Sequence, residues 1–288
     1  MKKKYFNIIL VSALMTINTI SNAASSDAVD DDVIAAQRAA LAAATKGKGY
    51  GPQSPRDIDS LKGKNARKFG TAPSSTKMNL CNIHFHKNAE HKGGEFTKYA
   101  GNGDGHGYQS GYKYSGKLSK KESSSHPEVC PNSHGGVSVG DTIEVHYVYS
   151  TAKVKPGHSL GACLSPSIGN PQLRVETQVY VVVNDNKALN FTKLTKHSIK
   201  KGYHQALNIP TDTGSPVQYA GSTTGPGYNE KGSPFQVSWS VRPKVAKVHI
   251  ATVGQWCQGN AFGEDHAHGV RNLVINLDLL SNMSKDDD

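Results

Sequence analysis

From Gly51 onward, strand-length segments follow one another with almost no helix between them, and this most limits the fold. Leu80 to His86, Thr142 to Tyr149 and Leu173 to Val183 alternate apolar with polar or β-branched residues. Val237 to Val241, Ala246 to Val253 and Asn272 to Leu277 add further strand signals. Gly- and Ser-rich turns at 101–111, 123–136 and 214–232 separate them. Strands that adjoin strands argue against a doubly wound fold. With 36% hydrophobic residues and 29 glycines, many turns and short strands are expected rather than a helical bundle. The expected fold is mainly β with minor α: one domain, residues 51–288, on a large, mostly antiparallel twisted sheet.

The N-terminus reads differently. Lys2, Lys3 and Lys4 precede a largely apolar run from Phe6 to Ile20, and Ser21-Asn22-Ala23 offers small residues for cleavage. That order predicts a secretory signal over 1–23, removed after Ala23. The run is broken by Thr16, Asn18 and Thr19, so a retained membrane span, which needs about 20 apolar residues, is not expected. Residues 24–50 form an N-terminal helical arm: Asp30, Asp31 and Asp32 precede an Ala-rich stretch through Leu41, and Gly47, Gly49 and Gly51 end it.

Export bears on the four cysteines, Cys81, Cys130, Cys163 and Cys257. Outside the cytosol an even number predicts disulfides, here two, with all three pairings open. No two cysteines have the close spacing of a zinc knuckle. The net charge is +10, but no run of five Lys/Arg and no nucleic-acid motif occurs. A nucleic-acid partner is therefore not expected, nor is membrane insertion once the signal is gone.

The chemistry concentrates in two segments. In Asn82-Ile83-His84-Phe85-His86, a strand would project His84 and His86 from one face and Ile83 and Phe85 from the other. In Ile143-Glu144-Val145-His146-Tyr147-Val148-Tyr149, Glu144, His146 and Val148 share a face. If the two strands pair, three imidazoles can meet one cation. Three histidines with a fourth position for water is the donor set of a catalytic zinc site, and Glu144 is placed to accept from a ligand's remaining ring N–H. A second His-x-His, His266 and His268, lies between Gly263 and Gly269 without alternation. Those two are expected in a surface loop or in structural hydrogen bonds rather than on a metal.

His84-Phe85-His86 and Glu144-Val145-His146 resemble the two zinc-binding strands of alpha-type carbonic anhydrases. Gln53-Ser54-Pro55-Arg56-Asp57-Ile58 is similar to their N-terminal segment. Tyr219-Ala220-Gly221-Ser222-Thr223-Thr224-Gly225-Pro226 resembles their Thr-Thr loop, and Val237-Ser238-Trp239-Ser240-Val241 the strand after it. All the blocks fall in the family's order. Met78 to His86, with Ala89-Glu90-His91-Lys92-Gly93-Gly94-Glu95-Phe96, looks like the delta class and its bacterial relatives.

The resemblance implies an alpha-carbonic-anhydrase type of sheet, zinc as cofactor, carbon dioxide and bicarbonate as small-molecule substrates, and reversible hydration by zinc-bound hydroxide. His84, His86 and His146 would be the ligands and Glu144 the partner behind them. Thr223 or Thr224 would accept a hydrogen bond from that hydroxide, oriented by Glu90, and Val148 and Trp239 would line the carbon dioxide pocket. The spacer from His86 to Glu90 is shorter than in the alpha pattern, and no histidine between the Gln53 block and His84 stands ready as proton shuttle. His91, His106, His126 and His134 are available for that work. The competing classes are another zinc hydrolase, such as an esterase, and a secreted metal-binding or adhesion domain without catalysis. The sequence leaves the oligomeric state open. It places the enzyme in the periplasm or outside the cell.

Overall fold

Two nine-residue strands, β1 (Asn79–Lys87) and β4 (Thr142–Ser150), pair antiparallel with His84 opposite His146. They belong to a computed structural model that describes residues 28–67 and 69–283. The export signal read at 1–23 lies outside the described residues.

In chain order the elements are α1 (Asp31–Thr45), β1, β2 (Lys98–Tyr99), β3 (Tyr112–Lys113), β4 and β5 (Leu173–Val183). Next come α2 (Phe191–Leu194), β6 (His197–Lys200), β7 (Tyr203–Ala206), β8 (Val217–Ser222) and α3 (Tyr228–Lys231). β9 (Gln236–Val241), β10 (Ala246–His249) and α4 (Ile250–Cys257) complete them. The main sheet has the order β1-β4-β5-β9-β8. β5 is long enough to serve two partners on one edge: β9 pairs parallel along 173–177 and β10 parallel along 180–183. The other pairings, β1·β4, β4·β5 and β8·β9, are antiparallel. The expected mainly β fold is therefore found, as a mixed sheet.

The pleat divides the sheet's residues between two faces. Ile83 and Phe85 of β1 and Ile143, Val145, Tyr147 and Tyr149 of β4 enter the main core. There they meet α2 through Phe191 and α4 through Ile250, Val253 and Trp256. A smaller cluster of Val148, Val175, Val179, Tyr219, Val237 and Trp239 lies with Cys81 and Cys163. Residues 84, 86, 144 and 146 share the face of Val148 by the same alternation.

A β-bulge between Leu80 and Asn82 reverses the alternation. Leu80 stays in the main core while Cys81 turns to the second cluster, the extra residue of a bulge being what re-aims a side chain. Cys81 thereby reaches Cys163. The second bridge, Cys130–Cys257, pins the 123–136 loop to α4. Both expected disulfides form, and the pairing left open is settled. No helix among the described residues is long and apolar enough to cross a membrane.

Three expectations are corrected. Ala246 to Val253 is not one strand: it becomes α4 at Ile250, where buried residues recur every third position, Ile250, Val253, Trp256, a helical spacing. Asn272 to Leu277 forms no ladder; single backbone bonds, such as Val274 N–H to Pro55 O, tie that stretch to the 53–65 segment. The stretch 214–232 is not only turn, since it contains β8 and α3. Gly221 in β8 could carry no side chain: a Cβ would sit 2.0 Å from Ser54 Oγ, and this close approach lets the N-terminal block pack under the sheet. α1 forms as expected and buries Ile34 and Leu41, the latter against Val274, Leu279 and Leu280.

Replacing Cys130 and Cys257 together by alanine opens a loop of sequence separation 127. It should cost about 2–5 kcal/mol, read as a lower urea midpoint than that of the oxidised parent. An unchanged midpoint would mean that the bridge does not stabilise α4.

Candidate metal centre

The His84, His86 and His146 side chains meet as the alternation requires. Ring centroids lie 5.1 Å apart for 84–86, 5.0 Å for 84–146 and 4.6 Å for 86–146. One ring nitrogen of each lies within 4.8 Å of the other two.

The opposite nitrogens are all held by acceptors. His84 Nδ1–H donates to Asn82 Oδ1 (2.6 Å), His86 Nδ1–H to the Gly269 carbonyl (2.7 Å) and His146 Nε2–H to Glu144 Oε1 (2.6 Å). An acceptor on one ring nitrogen fixes the proton there and leaves a lone pair on the other. Hence His84 Nε2, His86 Nε2 and His146 Nδ1 present lone pairs to a common point. His86 Nε2 is buried without a hydrogen-bond partner. His84 Nε2 and His146 Nδ1 lie 3.3 Å apart. Two lone pairs at that distance repel unless a cation separates them. Two nitrogens each about 2.0–2.1 Å from one tetrahedral zinc lie roughly 3.3 Å apart, so the donor set fits that ion.

Burial keeps these rings neutral. His86 falls from 6.5 to about 4, chiefly by desolvation and then by His268. His84 is pushed well below its ordinary value by burial and by His268, His146 and His86. His146 is lowered by burial against the opposing pull of Glu144. Neutral imidazole is the ligating form.

A second trio, His91, Glu144 and His146, is equally close, but its atoms are joined by hydrogen bonds. Glu144 accepts from His146 Nε2–H, His91 Nδ1–H (2.7 Å) and His91 N–H (3.1 Å). The Tyr219 hydroxyl is shared between His91 Nε2 (2.7 Å) and Ser54 Oγ (3.0 Å). Burial pushes the Glu144 carboxyl up, but His91 and His146 outweigh it and hold it well below the usual range. This is a hydrogen-bonded chain behind His146.

Against the His84 and His146 rings lies a cavity of about 70 Å³, lined also by Val148, Leu160, Val175, Val237, Trp239 and by both Thr223 and Thr224. Both expected pocket residues, Val148 and Trp239, are on its wall. The two threonines part company: Thr224 Oγ1 is 3.5 Å from Glu90 Oε2, whereas Thr223 Oγ1 pairs with Ser233 Oγ at 3.0 Å. Glu90 is fully buried, receives Arg271 N–H at 2.9 Å and lies 3.6 Å from His86 Nε2, beyond hydrogen-bond reach. Burial raises the Glu90 carboxyl, with His146 opposing.

Of the histidines named for proton transfer, His91 is fully buried in that hydrogen-bonded chain, His106 is exposed, His126 is half-buried, and His134 stacks on Tyr108. The second His-x-His divides. His266 is at the surface beside Asp265. His268 donates from Nε2 to Glu264 (2.8 Å) and stacks on His84, centroids 4.9 Å apart. Its structural hydrogen bond matches the sequence expectation; its place against a candidate ligand does not. Asn82, Glu264, Tyr219, Arg271 and the Gly269 carbonyl likewise escape the sequence reading. Only the position of Asn82, two residues before His84 on a strand, offers a signal.

The sequence model of the delta carbonic anhydrase family matches residues 75–252, well over half of the chain. No curated protein matches significantly. Among solved structures, the alpha-carbonic anhydrase of Thermovibrio ammonificans in complex with sulfanilamide is 18% identical, over 80% of this chain and 85% of that one, with a TM-score of 0.27. A halotolerant carbonic anhydrase from Dunaliella salina is 14% identical (78% and 86%, TM-score 0.29). An alpha-carbonic anhydrase from Photobacterium profundum is 15% identical (85% and 95%, TM-score 0.26). The family match alone decides the assignment: this chain belongs to the delta carbonic anhydrase family.

Proposed function

We propose that the protein catalyses the reversible hydration of carbon dioxide with zinc held by His84, His86 and His146. The observation that carries this is three inward lone pairs, with a small, mostly apolar cavity against two of the three rings. A zinc ion held there would supply Lewis acidity for the ionisation of water near neutral pH, chemistry for which carbonic anhydrases are the standard example. Asn82, Gly269 and Glu144 orient the three rings. Val148, Val237 and Trp239 offer carbon dioxide an apolar wall. The Arg271 N–H holds one oxygen of Glu90, and the other, 3.5 Å from Thr224 Oγ1, faces that hydroxyl as a long, weak acceptor. With its proton turned to Glu90, the Thr224 oxygen would present acceptor capacity to the cavity and select a protonated oxygen there.

The cavity volume argues against an esterase. About 70 Å³ is well below the roughly 300–1,000 Å³ of pockets that take drug-sized ligands. We assign the catalytic domain to 51–288, with 24–50 as its arm. Two disulfides fit an oxidising compartment, and removal of 1–23 on export would deliver the enzyme to the periplasm or beyond.

Stopped-flow hydration of carbon dioxide tests the proposal. Activity should vanish on chelation, return with zinc, and be lost in His146→Ala together with zinc binding, the affinity falling by more than the roughly 10–100-fold typical for loss of an outer partner. A zinc-loaded protein with no hydration activity would refute it.

Thr224→Ala should lower kcat/KM about 100-fold or more, the scale of losing one oriented hydrogen-bonding group, while Thr223→Ala changes it only a few-fold. The reverse order would exchange their roles.

The buried histidines set a pH dependence. An unfolded chain protonates His86 near 6.5, the native state only near 4, so between these values the unfolded state binds more protons and stability rises with pH. Metal-stripped protein should therefore be less stable to urea at pH 4.5 than at pH 7, with His86 alone contributing up to roughly 3 kcal/mol. A flat profile would contradict buried neutral ligands.

A further inference from the structure

Behind His84 lies a buried carboxylate that the reaction itself does not use. Glu264 is 1% exposed. Its Oε1 accepts from Asn82 Nδ2–H (2.9 Å) and from Ser159 N–H (3.1 Å), and its Oε2 from His268 Nε2–H (2.8 Å). All three partners bear on the centre. Asn82 holds His84 Nδ1–H, His268 covers one face of the His84 ring, and Ser159 precedes Leu160 on the cavity wall.

We propose that Glu264 is a positioning residue for the metal centre: through the Asn82 amide it fixes the tautomer and orientation of His84. The proposal rests on the zinc reading above. The two ends of a carboxamide have nearly the same shape and opposite hydrogen-bonding roles. With its oxygen toward His84, the amide demands a proton on Nδ1 and frees Nε2 for a cation. Turned over, its NH2 would face Nδ1, move the proton to Nε2 and block coordination. An ionised carboxylate only accepts, so Glu264 can take only the NH2 end. The Gly157 carbonyl, which accepts the same nitrogen at 2.9 Å, acts in the same sense but is neutral. The charge on Glu264 polarises the chain from carboxylate through amide to imidazole, which strengthens His84 as a donor to metal.

The test measures zinc affinity by chelator competition and the visible spectrum of the cobalt-substituted protein, alongside thermal stability. The parent chain should bind one zinc; if it does not, the zinc reading itself fails, and the variants are then not needed to say so. Given that binding, Glu264→Ala should weaken zinc about 10–100-fold and alter the cobalt bands. Glu264→Gln should weaken it by less. A role confined to stability would lower the melting temperature and leave affinity and spectrum at parental values, which would overturn the proposal.

Should Glu264→Ala fail to fold, a polarity exchange decides. Asn82→Asp alone sets two carboxylates face to face. Asn82→Asp with Glu264→Gln restores a donor facing an acceptor, while the carboxylate introduced at position 82 still accepts from His84. The double variant should bind zinc at least about tenfold more tightly than Asn82→Asp alone. Equal or weaker binding would show that Glu264 does not act through residue 82.

Discussion

Everything at the centre depends on the register in which β1 lies against β4. His84 faces His146, and His86 faces Glu144. A slip of one residue would turn every side chain of one strand to the other face, sending imidazoles into the main core and exposing Ile83 and Phe85. Each of those large apolar residues is worth about 1.5–3 kcal/mol when buried. The register is therefore set by hydrophobic groups on the face away from the three rings, and the histidines inherit their convergence from that core.

The polar groups beneath the ligands obey a second constraint. A buried charge without partners costs several kcal/mol, so Glu90, Glu144, Glu264 and Arg271 are tolerable only in company. Arg271 shows how this is met: its Nη1 donates to the Ser54 carbonyl at 2.6 Å while its backbone N–H holds Glu90. The Gln53-Ser54 block closes one side of this layer and residues 264–271 the other. That explains why segments so far apart along the chain belong to one site: each supplies the acceptors or donors that another leaves unsatisfied.

The same distinction separates what can be read in the sequence from what cannot. β1, β4 and the three histidines are legible because strand alternation is a local property that both faces report at once. The bulge at Cys81 is not, since it is defined by the partner strand. α4 reads as strand because Val248 and Ile250 continue an alternation that the spacing to Val253 and Trp256 then breaks. The two threonines are inseparable by pattern. β8 pairs with β9 through Ser222 and Gln236, and the next backbone bond, Thr223 N–H to Phe235 O, leaves Thr223 beside Ser233 and Thr224 toward Glu90. Glu264 and His268 act on β1 across a separation of about 180 residues, and nothing in their neighbours foretells it.

The bulge links core, disulfide and cavity. By turning Cys81 away from the main core it anchors the 160–163 turn, whose Leu160 and Cys163 form cavity wall, to the strand that carries His84 and His86. Ser150 Oγ–H donates to the Cys163 carbonyl at 2.7 Å, tying the same turn to β4. Cavity wall and both histidine-bearing strands are thus joined by a covalent bond and a hydrogen bond. Reactions that depend on a fixed polar environment gain most when substrate pocket and charged centre cannot move independently. In this chain one extra residue in an edge strand makes that junction possible.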